Sequence, residues 1–254
     1  MKSDATEETP FNCLGPARYG QMLYNPNDCY SGRSYKLYGE WKEHEIQTFR
    51  PYIQPGMVVL DVGANIGQHT VFFARAVGAK GSILAFEPQR LFFQTLCANV
   101  ALNSLTKVYT HQAAVGAESA PGSVAVPVRS PWIENHNFSA LPLWADYSQE
   151  ACETIDMIAI DDLHLSRCDF MKIEVVGMEE DVIRGAVRTI QRLKPVLYVE
   201  NDLLGYDIDQ QKSSGEIIKE NTVRRHSLVR ILAGLGYQLY WDAAPYFNSD
   251  NYLV

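Results

Sequence analysis

The sequence predicts an α/β fold built on a mostly parallel, doubly wound sheet. Three observations lead to this expectation. Apolar runs of strand length alternate with helical patterns along the chain, which is typical of parallel sheets. The first run, 58–62, breaks abruptly into glycines and resumes at helical spacing. The second, 82–86, ends in a carboxylate about twenty residues after that turn, an arrangement typical of nucleotide-binding sheets.

The first 54 residues are predicted to form an N-terminal extension. Turn-forming residues such as Asn25-Pro26-Asn27-Asp28 make 11–38 an irregular or hairpin-forming entry segment, followed by a helix over 40–53. Pro55-Gly56 then opens a core domain that we expect to occupy 55–254.

Hydrophobic periodicity predicts the elements of the core domain. The helix at 178–193 has the clearest pattern, because its apolar residues lie on one face at a period near 3.6. The stretch 112–168 is interrupted by prolines and is predicted to be irregular. We predict strands near 58–62, 82–86, 107–111, 170–175, 195–200 and 237–242, and helices near 67–77, 89–102, 178–193 and 223–234.

The turn after the first core strand predicts a ligand site. Its glycines, Gly63 and Gly67, permit backbone conformations closed to other residues, and the following helix start offers unpaired N–H groups. The order is D-x-G-x-N-x-G, from Asp61 through Asn65, and not the G-x-G-x-x-G of dinucleotide enzymes, which argues against a dehydrogenase. This pattern resembles the first motif of S-adenosylmethionine-dependent methyltransferases.

Two further side chains are candidates for the cofactor site. Glu87 follows the second core strand, where a carboxylate can accept both ribose hydroxyls; the alternative is a solvated charge at a strand end. His69 either reaches the ligand or only occupies the first helical turn.

The catalytic candidates are Lys172 and Glu174. In a strand of period two they share a face, at the end of the fourth core strand. Methyl transfer from a sulfonium needs an aligned nucleophile and removal of its proton, so one carboxylate or a carboxylate–lysine pair would suffice. The alternative is an ion pair that fixes the strand end.

Composition excludes several classes of protein. The chain has 254 residues, 46% of them hydrophobic, enough for one large core. Its net charge of −8 disfavours nucleic-acid binding. Five cysteines without metal-type spacing predict free thiols and no zinc site. With no signal-like or membrane-spanning segment, we expect a soluble, cytoplasmic protein that does not bind membranes.

Substrate contacts are expected in the irregular stretch 112–168. Loops beyond the carboxyl ends of parallel strands form the binding crevice, and Trp132 and Trp144 suit sugar rings or other partly apolar surfaces. The alternative is a hairpin packed on the rim of the sheet by these tryptophans.

Taken together, these motifs resemble the FkbM family of methyltransferases. The similarity covers most of 18–250 and is carried by six segments, which are Tyr38-Gly39-Glu40, Asp61–Gly67, Phe86-Glu87-Pro88, Ala113–Gly116, Lys172–Glu179 and Tyr198–Asn201. The resemblance implies a class I, Rossmann-like methyltransferase fold with S-adenosylmethionine as methyl donor. It also implies O-methylation of a hydroxyl on a sugar or natural-product-like small molecule, but it does not identify the substrate.

The sequence departs from the family pattern Lys-Ile-Asp-Val-Glu-Gly at two sites. Glu174 replaces the aspartate, and Val176 replaces the second carboxylate. At the other end of the domain, the chain stops soon after the predicted strand 237–242, so the last antiparallel strand of this fold is expected to be missing. Strand 237–242 would then form an exposed edge through which the protein associates with itself.

Two other functions stay open. Glu174 with Glu200, Asn201 and Asp202 resembles the oxygen ligands of magnesium-dependent catechol-type O-methyltransferases, although a divalent metal is not favoured. A non-catalytic module that binds S-adenosylmethionine and acts through a partner would explain Val176. N-methylation of bases is disfavoured, because no Asn/Asp-Pro-Pro-aromatic motif follows the fourth strand.

Overall fold

Five parallel strands form the central sheet of the computed structural model, which describes residues 10–200 and 227–240. The strands are β1 Cys13–Ala17, β2 Gly20–Tyr24, β3 Val58–Val62, β4 Ser82–Phe86, β5 Val108–His111, β6 Ala114–Val115, β7 Ala120–Pro127, β8 Cys152–Ile158, β9 Phe170–Ile173 and β10 Val196–Val199. The helices are α1 Ser31–Tyr38, α2 Glu43–Phe49, α3 Gln68–Val77, α4 Arg90–Leu102, α5 Glu179–Arg184 and α6 Val187–Leu193, with 3-10 turns at Arg50–Tyr52, Gly78–Lys80 and Ile160–Leu163. Residues 227–234 are also helical.

The order of the central sheet is β10-β9-β3-β4-β5. From β3 the chain first extends the sheet through β4 and β5, then returns to pair β9 with the other side of β3. This reversal makes the carboxyl ends of β3 and β9 the switch point, where open α/β sheets bind ligands. The register places Asp61 opposite Lys172 at that point.

The five central strands confirm the prediction to within two residues at either end. β3 and β4 have the predicted bounds, whereas β9 ends at Ile173 and β10 at Val199. All four residues of β9 are buried, because neighbouring strands cover both its edges and helices cover both faces of the sheet.

Two apolar layers enclose the sheet. Val59 and Phe170 face a cluster that includes residues of α2 and α3, such as Phe49 and Phe73. The alternate residues of the same strands, such as Leu60, face α5, α6 and the helix at 227–234. Because successive strand residues point to opposite faces, one uninterrupted apolar run supplies both layers.

The prediction of one continuous helix over 178–193 is wrong. The structure has α5 and α6, separated at Gly185, although the predicted apolar face is buried in both. The Asp161 carboxylate caps α6 by accepting the backbone N–H groups of Arg188 and Thr189, at 2.9 and 2.7 Å. The Gly185 carbonyl accepts the Asp161 N–H at 2.8 Å. A contact distant in sequence therefore ends one helix and starts the next.

The N-terminal segment combines a confirmed hairpin with a helix that was not predicted. β1 and β2 pair antiparallel, and α1 follows within the stretch predicted to be irregular. The predicted helix at 40–53 is shorter, since α2 ends at Phe49 and Pro51 lies in a 3-10 turn. The Asn99 side chain fixes the hairpin on α4 by bonding both backbone groups of Leu23. The domain boundary between 54 and 55 stays a prediction.

The stretch 112–168 is more regular than predicted. It contains a second sheet of order β6-β8-β7, in which β7 and β8 are antiparallel. Of the four prolines that suggested irregularity, Pro121 and Pro127 lie in β7, and Pro131 and Pro142 follow it. β7 is an edge strand, where proline is tolerated because one side of the strand has no ladder to complete.

The last predicted elements lie partly outside the described residues. Residues 237–240, the described part of predicted strand 237–242, are not in a strand, and the start of predicted helix 223–234 is not described. The exposed sheet edge therefore stays a prediction. All five cysteines are free, as expected. In the described parts of the chain, no helix has the length and apolar character needed to span a bilayer.

Candidate active site

The turn between β3 and α3 has the backbone conformation that its glycines predict. Gly63, Asn65 and Gly67 have φ angles of 78°, 53° and 94°, in the left-handed region. The N–H groups of Gly63 and Ala64 both bond to the Phe86 carbonyl at the end of β4. This turn presents backbone and no large side chain at the switch point, as a closely approaching ligand requires.

Gly63 is also needed for packing against β9. A Cβ atom on Gly63 would lie 1.9 Å from the backbone oxygen of Glu174. The two candidate sites, the glycine turn and the end of β9, are therefore in direct backbone contact.

Asp61 and Lys172 form a buried ion pair beneath this turn. Both side chains have 0% exposure, and Lys172 Nζ lies 3.1 Å from Asp61 Oδ1 and 2.7 Å from the Gly63 carbonyl oxygen. Thr70 donates its hydroxyl to the other oxygen of Asp61 at 2.6 Å. Burial disfavours the charge on Lys172, but the carboxylates of Asp61 and Glu174 outweigh it and raise the lysine's pKa. Lys172 therefore stays charged and holds the turn.

Glu87 connects the glycine turn to the start of α4. Its two carboxylate oxygens accept the backbone N–H groups of Asn65 and Gln89, at 2.8 and 2.9 Å. Burial raises the pKa of Glu87 to about 7, although these two hydrogen bonds oppose the shift. Each oxygen keeps lone-pair capacity for a further donor, such as a ribose hydroxyl.

Glu174 lies between two lysines. Its Oε1 bonds to Lys42 Nζ, and its Oε2 lies 3.1 Å from Lys172 Nζ. Burial favours the neutral acid, but the charges of Lys172 and Lys42 outweigh it and hold the pKa of Glu174 well below its ordinary value. Glu174 is therefore a stable anion and a weak base.

His69 lies deeper than a ligand-contacting residue of the first helical turn. Its side chain is 1% exposed and packs edge-on against Phe49, with ring centroids 5.4 Å apart. Nε2 is 3.4 Å from Glu45 Oε2, and Nδ1 is 3.9 Å from Glu174 Oε2. Burial and the charge of Lys172 lower the pKa of His69 well below its ordinary value, so its imidazole is neutral.

Lys42 and Glu45 join this site, although sequence reasoning missed them. They stand at the start of α2, where Lys42 Nζ lies 2.9 Å from Glu45 Oε1 and bridges to Glu174. Burial is the main cause that raises the pKa of Glu45 to about 7. No local motif marks either residue, because Glu174, which brings them into the site, is more than a hundred positions away in sequence.

The segment over 128–147 contacts the turns that follow β3 and β9. Ser139 Oγ accepts a hydrogen bond from the side-chain amide of Asn65 at 2.9 Å. Trp144, later in the same segment, donates its indole N–H to the Val176 carbonyl at 3.2 Å. Trp132 instead packs edge-on against Phe11, 5.3 Å away. Trp144 therefore lies beside the turn after β9, where the crevice was predicted, whereas Trp132 packs on the N-terminal segment.

Val176, which stands where the family pattern has a second carboxylate, has a φ of 52°. Positive φ is rare for a β-branched residue and is found where a tight turn is over-determined by its surroundings. The carboxylate of Glu179 supports this turn by accepting the N–H groups of Val175 and Gly177, at 3.3 and 3.1 Å.

Two sets of residues bear on metal binding. In the set suggested by the sequence, Glu200 directly follows β10, and burial and the charge of Glu174 raise its pKa. Asn201 and Asp202 lie outside the described residues. Among the described residues, the structure instead brings one ligand atom each of Glu45, His69 and Glu174 within 4.8 Å of one another.

The sheet order, the glycine turn at the switch point and the acidic residue after β4 define the class I fold of S-adenosylmethionine-dependent methyltransferases. Residues 61–239 match the sequence profile of the methyltransferase FkbM domain, so the chain belongs to that family. Lys42 and Glu45 lie outside the matched region.

Two similar proteins carry methyltransferase names. Methyltransferase 1 of Beauveria bassiana (strain ARSEF 2860) is 29% identical over an alignment of 143 residues that covers 50% of this chain and 57% of that protein. The crystal structure of methyltransferase FkbM from Methylobacillus flagellatus KT superimposes with a TM-score of 0.51 at 19% identity, over 78% of this chain and 44% of that one. This chain thus spans about half the length of either relative.

Proposed function

We propose that this protein transfers a methyl group from S-adenosylmethionine to a hydroxyl of a sugar or a natural-product-like small molecule. The observation that carries the proposal is the left-handed glycine turn, bridged by Glu87, at the switch point of a class I sheet. The membership of the FkbM family supports the same reaction class.

The residues at the switch point fit the methyl donor. The backbone of Gly63, Asn65 and Gly67 would face it without side-chain obstruction, and Glu87 would accept the ribose hydroxyls. An open cleft adjoins Gln89 and Ile66 on the Glu87 side of the turn, and a nucleoside would enter the site from there. When bound, the donor supplies an electrophilic methyl group on a positively charged sulfur.

Glu174 suits hydroxyl methylation by position and charge. As a fixed anion at the end of β9, it would attract the sulfonium and accept a hydrogen bond from the acceptor hydroxyl, which aligns the oxygen for attack. Its low pKa argues against full deprotonation of the hydroxyl before the methyl group moves. The segment 128–147 would cover the acceptor and exclude water.

The first experiment measures donor binding by calorimetry. S-adenosylmethionine and S-adenosylhomocysteine are titrated into the wild type, Glu87→Gln and the control Glu180→Gln, whose carboxylate pairs with Arg184 on α5 and does not line that cleft. We expect Glu87→Gln to weaken binding about 10-fold or more, the equivalent of about 1.4 kcal/mol, and the control to leave it unchanged. Absence of binding to the wild type would refute the proposal.

The second experiment measures methyl transfer from labelled donor to a panel of sugars and polyketides. Each hydroxyl compound is paired with its deoxy analogue, and reactions are run with and without a chelator. Transfer that requires the hydroxyl supports O-methylation. Binding without transfer to any acceptor would favour the non-catalytic module that Val176 suggests, and loss of activity with chelator would favour the magnesium-dependent alternative.

A further inference from the structure

The buried imidazole of His69 is unusual in its hydrogen bonding. Its side chain is 1% exposed, yet neither ring nitrogen makes a hydrogen bond to any described residue. Buried polar groups nearly always have a partner, and an exception needs a physical reason. The nitrogens point toward two carboxylates, Glu45 at 3.4 Å and Glu174 at 3.9 Å, which are too distant or poorly aligned to accept a hydrogen bond.

The spacing of these groups suits a metal ion better than a hydrogen bond. One ligand atom from each of Glu45, His69 and Glu174 lies within 4.8 Å of the other two. Tetrahedral ligands at about 2.1 Å from zinc are about 3.4 Å apart, which matches the 3.4 Å between His69 Nε2 and Glu45 Oε2. Glu174 is the least buried of the three, at 17% exposure, so its side chain has the most freedom to close the remaining gap.

The local charge also favours a divalent cation. Asp61, Glu45 and Glu174 contribute three carboxylates, and Lys172 and Lys42 contribute two ammonium groups. Lys172 has 0% exposure and is fixed by Asp61, but Lys42 is 11% exposed on a flexible stem. If Lys42 turned outward, three carboxylates and one ammonium group would leave a charge of −2.

We propose that Glu45, His69 and Glu174 bind a divalent transition-metal cation such as Mn²⁺ or Zn²⁺, and that the Lys42 ammonium competes with this cation for the two carboxylates. Mixed imidazole and carboxylate donors select these ions over Ca²⁺. The ion would join three elements, because the ligands come from α2, α3 and the end of β9. The site shares Glu174 with the set suggested by the sequence, but its other ligands are Glu45 and His69, and it does not depend on methyl transfer.

The test titrates Mn²⁺ alone into the chelator-treated full chain at pH 7.5, with free ion measured by electron paramagnetic resonance. Lys42→Met removes the competing charge and should tighten Mn²⁺ binding about 10-fold or more relative to the wild type. Adding Glu45→Gln in the Lys42→Met background should reverse that gain. Glu180→Gln in the same background is the matched control, because its carboxylate pairs with Arg184 on α5, and it should leave Mn²⁺ affinity unchanged.

A spectroscopic readout identifies the ligand. Electron spin-echo modulation from ¹⁴N should accompany Mn²⁺ bound to Lys42→Met and disappear in Lys42→Met/His69→Gln. If the double variant fails to fold by circular dichroism, the Glu45→Gln comparison decides the question. The proposal is overturned if Lys42→Met binds Mn²⁺ no more tightly than the wild type, or if Glu45→Gln leaves the affinity of that variant unchanged.

Discussion

Replacing Gly63 by alanine tests how the glycine turn and β9 depend on each other. The new Cβ would lie 1.9 Å from the backbone oxygen of Glu174 and 2.9 Å from its carbonyl carbon. Neither atom belongs to a flexible side chain, so the turn itself must move away from β9. That movement would also lengthen the 2.7 Å hydrogen bond from Lys172 to the Gly63 carbonyl.

The expected loss of stability has two parts. A left-handed conformation costs a non-glycine residue about 1 to 2 kcal/mol. Overpacking in a well-packed region adds about 1 to 3 kcal/mol, which gives a total of about 2 to 5 kcal/mol. Gly236 is the matched control, because its φ is +86°, the next N–H closes the helix end on the Leu232 carbonyl, and no described atom lies within 4 Å of the position that a Cβ would take there. Gly236→Ala should therefore lose only the backbone part.

The assay is urea unfolding followed by circular dichroism, together with calorimetric titration of S-adenosylhomocysteine. Gly63→Ala should lose more free energy of unfolding than Gly236→Ala and bind the ligand about 10-fold or more weakly, the equivalent of about 1.4 kcal/mol. Gly236→Ala should bind normally. Equal stability losses in the two variants, within about 0.5 kcal/mol, would refute the contact between the turn and β9.

Three further substitutions test other parts of the structure. Lys172→Met breaks a buried ion pair and leaves Asp61 uncompensated, so it should cost about 3 to 5 kcal/mol in urea unfolding. Glu87→Gln should remove one contribution to the pH dependence of the free energy of unfolding. The pKa of Glu87 rises from 4.5 in the unfolded chain to about 7 in the folded protein, so the folded state holds the proton more tightly. The resulting stabilisation is complete below pH 4.5 and is lost as pH rises through 7. Gly185→Ala should lower the free energy of unfolding by about 1 to 3 kcal/mol, because the new Cβ would lie 2.0 Å from the backbone oxygen of Gly116. Gly234→Ala should not lower it, because no described atom lies within 4 Å of its new Cβ.

Each of these predictions has a contrary outcome. Unchanged stability of Lys172→Met would show that the ion pair with Asp61 contributes nothing. For Glu87, the wild type should lose at most about 1.4 kcal/mol per pH unit relative to Glu87→Gln between pH 4.5 and 7. Both proteins contain His69, whose lowered pKa makes stability rise with pH, so this contribution cancels when the two are compared. Parallel pH profiles of the two proteins would contradict the raised pKa of Glu87. Equal behaviour of Gly185→Ala and Gly234→Ala would contradict the tight packing that separates α5 from α6.

The core of the fold could be predicted from the sequence because local rules determine it. The apolar runs at 58–62 and 82–86 are β3 and β4 with the predicted bounds, since a strand buried on both faces needs uninterrupted apolar residues. The glycine turn was equally predictable, because Gly63 and Gly67 are needed where the backbone adopts positive φ. The pattern at 178–193 predicted the buried face but not the break at Gly185, which depends on Asp161.

The candidate site was less predictable. The sequence placed Lys172 and Glu174 on one face of a strand and offered both a catalytic role and an ion pair. The structure has Lys172 fully buried, with its Nζ 3.1 Å from Glu174 Oε2 and also 3.1 Å from Oδ1 of Asp61, which comes from the neighbouring strand. Lys42 and Glu45 could not be found from their own segment, since nothing local distinguishes them from surface residues of a helix start.

The sequence by itself determined the class I sheet, the glycine turn, the carboxylate after β4 and the resemblance to the FkbM family, because these follow from periodicity and short-range backbone requirements. Only the tertiary structure decided which charges meet. It brought Lys42, Glu45 and His69 to Glu174, and it carried Trp144 to the turn at Val176. The physical reason is that burial and Coulomb interactions depend on distances in space, which residues far apart in the chain acquire only on folding.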